Sequence, residues 1–412
     1  GTGTAKYYEG GTAGADPTGG DTNGTYTLDS VNYGWRAFTT TGSQNLVIAA
    51  GGSIDLMIIA GGGGGGADTG ATGSGGGGGA GGLKYYVGRT VAAGTHVIVV
   101  GTGGAGATAH NVKGTSGVAT TFTASGLSAI SATGGGGAGS RSTNQALNGG
   151  SGGGGGQRDN TSANYGTGVT NEGYRGGSGN EAAAMSGGGG GGAGAVGSDS
   201  TSGSGGNGGA GVVEGTTSVY DWQAGSSTTL KINGAGSSYA GGGGGAGASS
   251  QGTASHGGGA VGAVGTVNTG GGGGAHSSVT GFAGGHGIAI IRYVVGGFNS
   301  SGGNLTLQST ATTAESAPTK ADLVVLIEDG AGTATINTDI KGYVSRNGSA
   351  FSTAVTFVDE GDWGTNKRIL VARQIDISGI TTGTAMKYKL TTHNQVASSK
   401  ETRVHATSLA WA

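Results

Sequence analysis

The stretch Ile54-Asp55-Leu56-Met57-Ile58-Ile59-Ala60, followed at once by six glycines at positions 61–66, decides the fold of this chain. Ile54 to Ile59 is an apolar run of strand length, which predicts a buried β-strand. The strand ends abruptly where the side chains disappear. Glycine also dominates the rest of the sequence, with 105 of 412 residues, several times its ordinary usage. The sequence therefore joins a β-strand directly to a tract of bare backbone.

Residues 61–295 form a glycine-rich region with seven uninterrupted runs, at 61–66, 75–79, 134–137, 152–156, 187–192, 241–245 and 270–274. The spacing of these runs is irregular, which argues against a solenoid of fixed period. Only two prolines occur and there is no strict Gly-X-Y repeat, so the region is not collagen. A flexible Gly/Ser linker and an ordered body remain as the two interpretations.

Bare backbone can form an ordered body if it pairs its own polar groups. Ordering a residue costs roughly 1–2 kcal/mol, and glycine lies at the costly end. In a polyproline-II-like conformation the chain has three residues per turn and no internal hydrogen bonds. Its N–H and C=O groups then point outward, where closely packed neighbours can pair them. We expect packed polyglycine-II helices rather than a linker, because the segments between runs carry Tyr, Trp and Asn instead of Glu, Lys and Pro.

Predicted strands flank and interrupt the glycine-rich region. Residues 1–60 read as N-terminal β-strands, and further strands are predicted at Leu83 to Val87, His96 to Val100 and Ile288 to Tyr293. The last of these strands needs a partner that only the earlier strands can supply. The sequence thus predicts an N-terminal β-sandwich that frames the glycine helices.

Residues 304–412 differ in character, because glycine falls to ordinary levels and apolar and polar residues alternate. Seven strands are predicted, at 304–308, 322–328, 340–346, 354–358, 368–377, 386–393 and 403–411. Asn347-Gly348 signals a hairpin turn. Residues 296–303, rich in Gly and Ser, are the predicted linker. The fold class is therefore all-β, with a C-terminal antiparallel β-sandwich.

Composition excludes several classes of function. There is no cysteine, so disulfides and thiolate metal sites are absent. Only 10% of residues are charged and the net charge is −2, which does not favour nucleic acid as a partner. The longest apolar stretch, Leu56 to Ala60, is too short to span a bilayer, so no membrane insertion is expected.

No motif supports catalysis, a cofactor or a metal. Val97 to Gly106 runs from a strand into GxGxxG, but no helix pattern follows and no Asp or Glu occurs between Asp68 and Asp159. The seven histidines show no pair at metal-ligand spacing with a supporting acid. Asp359, Glu360 and Asp362 cluster, and we interpret them as a charged loop between strands. The expectation is a protein that is not an enzyme.

Several segments in order resemble the glycine-rich domain of bacteriophage tail-fibre proteins. The resemblance covers roughly residues 30–295 and is carried by Ile58-Ile59-Ala60 with its six glycines, 75–82, 91–94, 97–101, Thr133 with four glycines, Asn268-Thr269 with five glycines, and 284–293. The glycine helices are also similar in kind to the polyglycine adhesins of phage fibre tips. The last hundred residues resemble a β domain common in phage virion proteins, through 313–322, 329–333 and 400–403.

The resemblance implies a structural and adhesive protein of a phage particle, a tail fibre or its tip, located in the virion and outside the cell. It implies as partners a host-surface polysaccharide or outer-membrane protein and other tail or virion proteins, and it leaves a homotrimer open. Two alternatives stay open as well. One is a purely architectural head-fibre or decoration protein, and the other is a bacterial extracellular adhesin or filament subunit.

Receptor binding is predicted in the segments that join the glycine helices, because rigid scaffolds commonly display recognition on loops. These segments, 140–148, 157–175 and 212–239, carry aromatic and basic residues of the kinds enriched in binding hot spots. The candidates are Trp222, Tyr220, Tyr165, Tyr174, Arg158, Arg175 and Tyr239. The alternative is that each aromatic ring merely packs over the rim of the glycine body.

Overall fold

The computed structural model describes residues 15–29, 31–49, 51–68, 75–141, 145–157, 164–181, 185–276, 280–295, 304–395 and 400–412. The chain divides into two compact units. The first, called here the glycine unit, comprises Asp16–Ile48 and Gly52–Gly297, and the second includes Phe298–Ala412. The predicted linker, 296–303, lies outside the described residues. The described residues contain strands, turns and extended segments but no helical element, which confirms the all-β class.

The glycine unit contains fourteen strands among its described residues: β1 (Thr18–Gly19), β2 (Thr22–Leu28), β3 (Val31–Phe38), β4 (Gly42–Ile48), β5 (Gly52–Ile59), β6 (Leu83–Val91), β7 (Gly94–Val100), β8 (Thr120–Thr123), β9 (Ile130–Ala132), β10 (Val212–Val213), β11 (Ser218–Asp221), β12 (Ser226–Thr229), β13 (Ser238–Tyr239) and β14 (Ile288–Val294). One sheet has the order β1-β4-β7-β8-β9 and another the order β12-β11-β6-β5-β14-β3-β2, while β10 pairs with β13. The predicted strand at 288–293 does pair with earlier strands, β3 and β5.

Four consecutive apolar residues end β5, Leu56 to Ile59, because this part of the strand is buried on both faces. Successive side chains of a strand point to opposite faces. Met57 and Ile59 pack into one core cluster with Val219, while Leu56 and Ile58 are fully buried on the other side. β5 also contacts β8 and β9 of the five-stranded sheet. The two large sheets therefore form a sandwich with β5 near its centre.

The run Gly61–Gly66 leaves β5 as an extended segment and pairs all its backbone groups with other segments. The N–H groups of Gly61 and Gly64 donate to the carbonyls of Val118 and Thr115, at 3.0 and 2.9 Å. The other N–H and C=O groups follow the same step of three residues and pair with 76–79, 282–285, 104–107, 135–138 and 273–276. One glycine segment thus touches six neighbours, as expected for a lattice of three-residue-per-turn helices without internal hydrogen bonds.

The same pattern recurs in the other glycine runs. Gly187–Gly192 donates in pairs three residues apart to 243–246, 152–155 and 195–198, and accepts from 206–209, 77–80 and 174–177. All these glycines are buried. We call this body of hydrogen-bonded extended segments the glycine lattice. The prediction of packed polyglycine-II helices is confirmed by this bonding.

Only glycine fits inside most of the glycine lattice. A Cβ built on Gly63, Gly64 or Gly65 would overlap a carbonyl oxygen of a neighbouring segment, deep inside van der Waals contact. Alanine is accepted where a segment leaves the lattice or passes the sandwich core. Ala80 bonds to lattice segments through its backbone, and its side chain belongs to the same buried core cluster as Met57 and Leu83. Ala80 directly follows the run 75–79, so alanine is found here at the border of a glycine run rather than inside one.

A buried ion pair joins β5 to β14 in the same sandwich. Asp55 and Arg292 lie directly opposite each other, and Arg292 Nε donates to Asp55 Oδ2 at 2.7 Å. The other carboxylate oxygen of Asp55 accepts the N–H of Gly88 at 2.8 Å. The guanidinium also donates to the Tyr26 hydroxyl at 3.0 Å and lies 4.4 Å from the Tyr33 ring centre. Both carboxylate oxygens and all three guanidinium nitrogens of this pair thus have hydrogen-bond partners within the protein.

The second unit contains eight strands among its described residues: β15 (Thr306–Gln308), β16 (Thr312–Thr313), β17 (Lys320–Ala331), β18 (Ile340–Ser345), β19 (Val358–Gly364), β20 (Lys367–Asp376), β21 (Ala385–Thr392) and β22 (Glu401–Trp411). One sheet has the order β19-β20-β17-β22, and in the other β15, β16 and β18 all pair with β21. Alternate residues of β17, including Leu323, Val325 and Ile327, are fully buried in the core cluster. This arrangement agrees with the predicted antiparallel sandwich.

Two local predictions in this unit are wrong. Of the predicted strand Ala354 to Val358, only Val358 lies in a strand, and the supposed loop of Asp359, Glu360 and Asp362 is part of β19 itself. β19 is a sheet edge and is exposed along its whole length, so it tolerates charges that a central strand would not. Its apolar positions therefore give no alternating signal.

The turn at Asn347-Gly348 also differs from the predicted hairpin. Positive φ occurs at Gly348 (76°) but not at Asn347. Instead, the Asn347 side-chain oxygen accepts the N–H groups of Ser349 and Ala350, at 3.0 and 2.8 Å. Asparagine side chains commonly stabilise turns in this way. The sequence signal was a turn, but the chain leaves it without forming a second strand.

Candidate functional site

A surface groove of about 510 Å³ opens in the glycine unit where two of the three predicted binding segments meet. We call it the loop groove. One wall comes from residues 167–175 and the other from β10, β11 and β12. It is lined by Leu83, Thr167, Gly168, Thr170, Asn171, Glu172, Gly173, Tyr174, Arg175, Ala193, Val196, Val212, Ser218, Val219, Tyr220 and Ser227.

The hairpin of β11 and β12 positions Tyr220 and Trp222. Tyr220 pairs with Ser227 across the hairpin, and the Trp222 N–H donates to the carbonyl of Tyr85 in β6 at 2.9 Å. The carboxylate of Asp221 accepts the N–H of Gln223 at 2.8 Å. These bonds attach the hairpin to the large sheet, so both aromatic rings start from a fixed backbone.

A chain of contacts runs from the groove wall into the interior. The Tyr220 and Trp222 rings meet edge to face with centres 5.4 Å apart. Lys84 Nζ lies 4.2 Å from the Trp222 ring centre and 3.2 Å from Glu172 Oε1. Glu172 Oε2 accepts the N–H of Thr133 at 2.8 Å. Both oxygens of this buried carboxylate are therefore occupied, and its charge is balanced by Lys84.

The opposite wall presents Tyr174 and Arg175. The backbone of Tyr174 belongs to the lattice, because its N–H donates to the carbonyl of Gly192 at 3.0 Å. The residue as a whole is 48% exposed. Arg175 lies over the Tyr165 ring, 4.4 Å from its centre, and its Nη1 is 3.3 Å from Asp199 Oδ1. Tyr165 thus supports Arg175 from behind.

Six of the seven sequence candidates lie in the described residues and separate into three groups. Tyr174, Arg175 and Tyr220 line the loop groove, while Trp222 and Tyr165 support residues that line it. Tyr239 is only 4% exposed and packs in the core, where burial raises the pKa of its phenol. We therefore leave Tyr239 out of the site. Arg158 lies outside the described residues.

Sequence reasoning missed Glu172, which lines the groove, and Lys84, which links Glu172 to Trp222. Lys84 sits on β6 among aromatic residues, and Glu172 lies in the glycine-rich region. Glu172 is the one acidic residue between Asp159 and Glu181, and this isolation in a charge-poor tract was a usable signal. The apolar lining residues Val196, Val212 and Val219 carried no such signal.

The described residues show neither a metal cluster nor a transmembrane helix. No group of three or more His, Asp or Glu side chains within them is arranged to hold a metal ion. In the same part of the chain, no helix has the length and apolar character to cross a membrane.

Comparison with known proteins places the glycine unit in a family. None of the curated proteins matches the sequence. A family model described as a glycine-rich domain matches residues 39–294, which is more than half of the 412 residues. The match begins just before β4 and ends with β14, so it includes the glycine lattice and the loop groove. The chain therefore belongs to the glycine-rich domain family.

Proposed function

We propose that this chain is a structural and adhesive bacteriophage virion protein, a component of a tail fibre or its tip, which binds the host cell surface through loops carried by the glycine lattice. In this role it acts outside the cell as part of the particle and contacts other tail or virion proteins. The proposal extends the sequence resemblance to tail-fibre proteins.

The observation that carries the proposal is the loop groove. Two separate connecting segments converge on it and bring Tyr174, Arg175 and Tyr220 to one surface. Tyrosine and arginine are enriched in binding hot spots because they offer large contact area with a polar group. The backbone of Tyr174 and Arg175 is held by the lattice and that of Tyr220 by a β-sheet, so little conformational entropy is lost when a ligand binds.

A cell-binding assay tests the proposal. The labelled full-length chain is incubated with a panel of bacterial cells, and the bound fraction is compared with that of Tyr174→Ala and Tyr220→Ala. We expect binding to at least one strain and a loss of about tenfold or more for each variant, because truncating a hot-spot side chain costs about 2 kcal/mol or more and about 1.4 kcal/mol is tenfold in affinity.

Trp363→Ala provides the matched control. Trp363 is an exposed aromatic residue (39%) on β19, and it belongs to the second unit, whereas the loop groove belongs to the glycine unit. We expect this variant to bind as the unchanged chain does. Equal binding by all variants would reject the loop groove as the binding surface, and the absence of binding to any strain would favour the purely architectural role.

A further inference from the structure

No unbalanced charge faces the loop groove among its lining residues. Only two of them, Glu172 and Arg175, are charged. Glu172 is held by Lys84 and by the Thr133 N–H, and Arg175 is paired with Asp199. Each of these charges thus has an opposite charge beside it, and the lining offers no unpaired charge to attract an ionic ligand. The groove therefore suits a ligand without net charge.

The exposed polar groups of the groove are hydroxyls and one amide. Thr167, Thr170, Asn171, Ser218 and Ser227 are all exposed side chains along its walls. Hydroxyl groups both donate and accept hydrogen bonds, and the amide does so through two different atoms. Such a set matches a ligand that itself carries many hydroxyl groups.

Two tyrosine rings add flat contact surface to the groove, and they come from different parts of the chain, Tyr174 from a lattice segment and Tyr220 from the hairpin of β11 and β12. Tyrosine combines an apolar ring with a polar hydroxyl. A sugar ring has the complementary character, with an apolar C–H face and a polar rim. The tyrosines can therefore cover ring faces while the hydroxyl side chains bond the rim.

The size of the groove separates a sugar chain from a protein surface. Its volume of about 510 Å³ lies within the roughly 300–1,000 Å³ of small-molecule sites. A stable protein partner covers about 800 Å² on each side, typically with 20–30 residues. The groove has only sixteen lining residues, and three of them, Gly168, Gly173 and Ala193, have no side chain or a single methyl group, so it offers less contact area than such an interface needs.

We infer that the loop groove binds a short, uncharged segment of a surface polysaccharide. This inference rests on the proposed host-binding function and specifies its ligand class. Tyr174 and Tyr220 contact the sugar rings, and the threonine, serine and asparagine side chains bond the hydroxyl groups. Trp222 and Lys84 do not line the groove and act by positioning Tyr220.

The first test uses immobilised bacterial polysaccharides, some neutral and some acidic, with the labelled full-length chain. We expect binding to at least one neutral polysaccharide, with less than a twofold change between about 50 mM and about 500 mM NaCl, because no net charge is involved. Tyr174→Ala should weaken this binding about tenfold or more and Thr170→Ala by a smaller factor. Both residues are exposed, so both variants should fold. Binding only to acidic polysaccharides, or to none of the panel, would overturn the inference.

The second test separates failure of this inference from failure of the proposed function. Cells that bind the chain are treated either with periodate, which cleaves vicinal diols of sugars, or with a protease. We expect periodate to abolish binding and protease to leave it unchanged. Binding that survives periodate but not protease would retain the adhesive function and reject the sugar ligand. Binding to no cell strain would reject the adhesive function itself.

Discussion

Replacing Gly64 by alanine is expected to lower the free energy of unfolding of the glycine unit by about 3 kcal/mol or more. The new Cβ would overlap the carbonyl oxygen of Ala105 on the neighbouring segment. Overpacking in a rigid interior costs about 1–3 kcal/mol, and here the displaced group is backbone rather than a movable side chain. Shifting that segment also strains hydrogen bonds, each of which contributes about 1 kcal/mol.

Gly379→Ala is the matched control for this substitution. Gly379 has open space around its Cβ position and an ordinary φ, so its substitution should change stability by no more than about 0.5 kcal/mol. The measurement is the urea midpoint of each variant in the full-length chain, followed by circular dichroism. A Gly64→Ala chain as stable as Gly379→Ala would mean that the interior of the glycine lattice is looser than described.

Asp55→Asn is expected to destabilise the glycine unit by about 3–5 kcal/mol, since it leaves the buried Arg292 guanidinium without its counter-charge. The asparagine oxygen can still accept the Gly88 N–H, so the backbone contact is retained. The loss therefore reports mainly on the charge. Thermal unfolding of the full-length chain measures it as a lowered midpoint for the transition of the glycine unit.

Adding Arg292→Met to Asp55→Asn should recover most of that loss, because a buried pair replaced by uncharged groups is often close to neutral. Glu360→Gln is the control for an exposed pair, since Glu360 binds Arg373 at the surface of the second unit. It should change stability by less than about 1 kcal/mol. If Asp55→Asn behaved like Glu360→Gln, the pair would not be a structural element of the sandwich.

The sequence was sufficient to predict the class of fold and most strands. β5, β6, β7 and β14 begin and end within a few residues of their predicted bounds, because buried strands carry strong apolar patterns. The lattice was also predictable, since uninterrupted glycine is costly unless closely packed backbone compensates for it. In contrast, the charged edge strand β19 gave no pattern, because neither of its faces is buried.

The pairing of segments could not be predicted. Asp55 lies inside a run that reads as apolar, and its partner Arg292 is 237 residues away in sequence. The same limit applies to the loop groove. Tyr174 and Tyr220 were identified as candidates by residue type, but only the fold shows that they face one groove and that Tyr239 does not. Which glycine run pairs with which cannot be read from the sequence either, because all the runs consist of the same residue.

Amide hydrogen exchange of the glycine runs is the most direct test of the lattice. Every N–H of Gly61–Gly66 donates to a carbonyl of another segment, and the run is buried. We therefore predict that peptides covering 61–66 and 187–192 exchange as slowly as the central strand β5, since all three open only with the whole unit. Exchange of these runs within seconds, while β5 stays protected, would contradict an ordered glycine body.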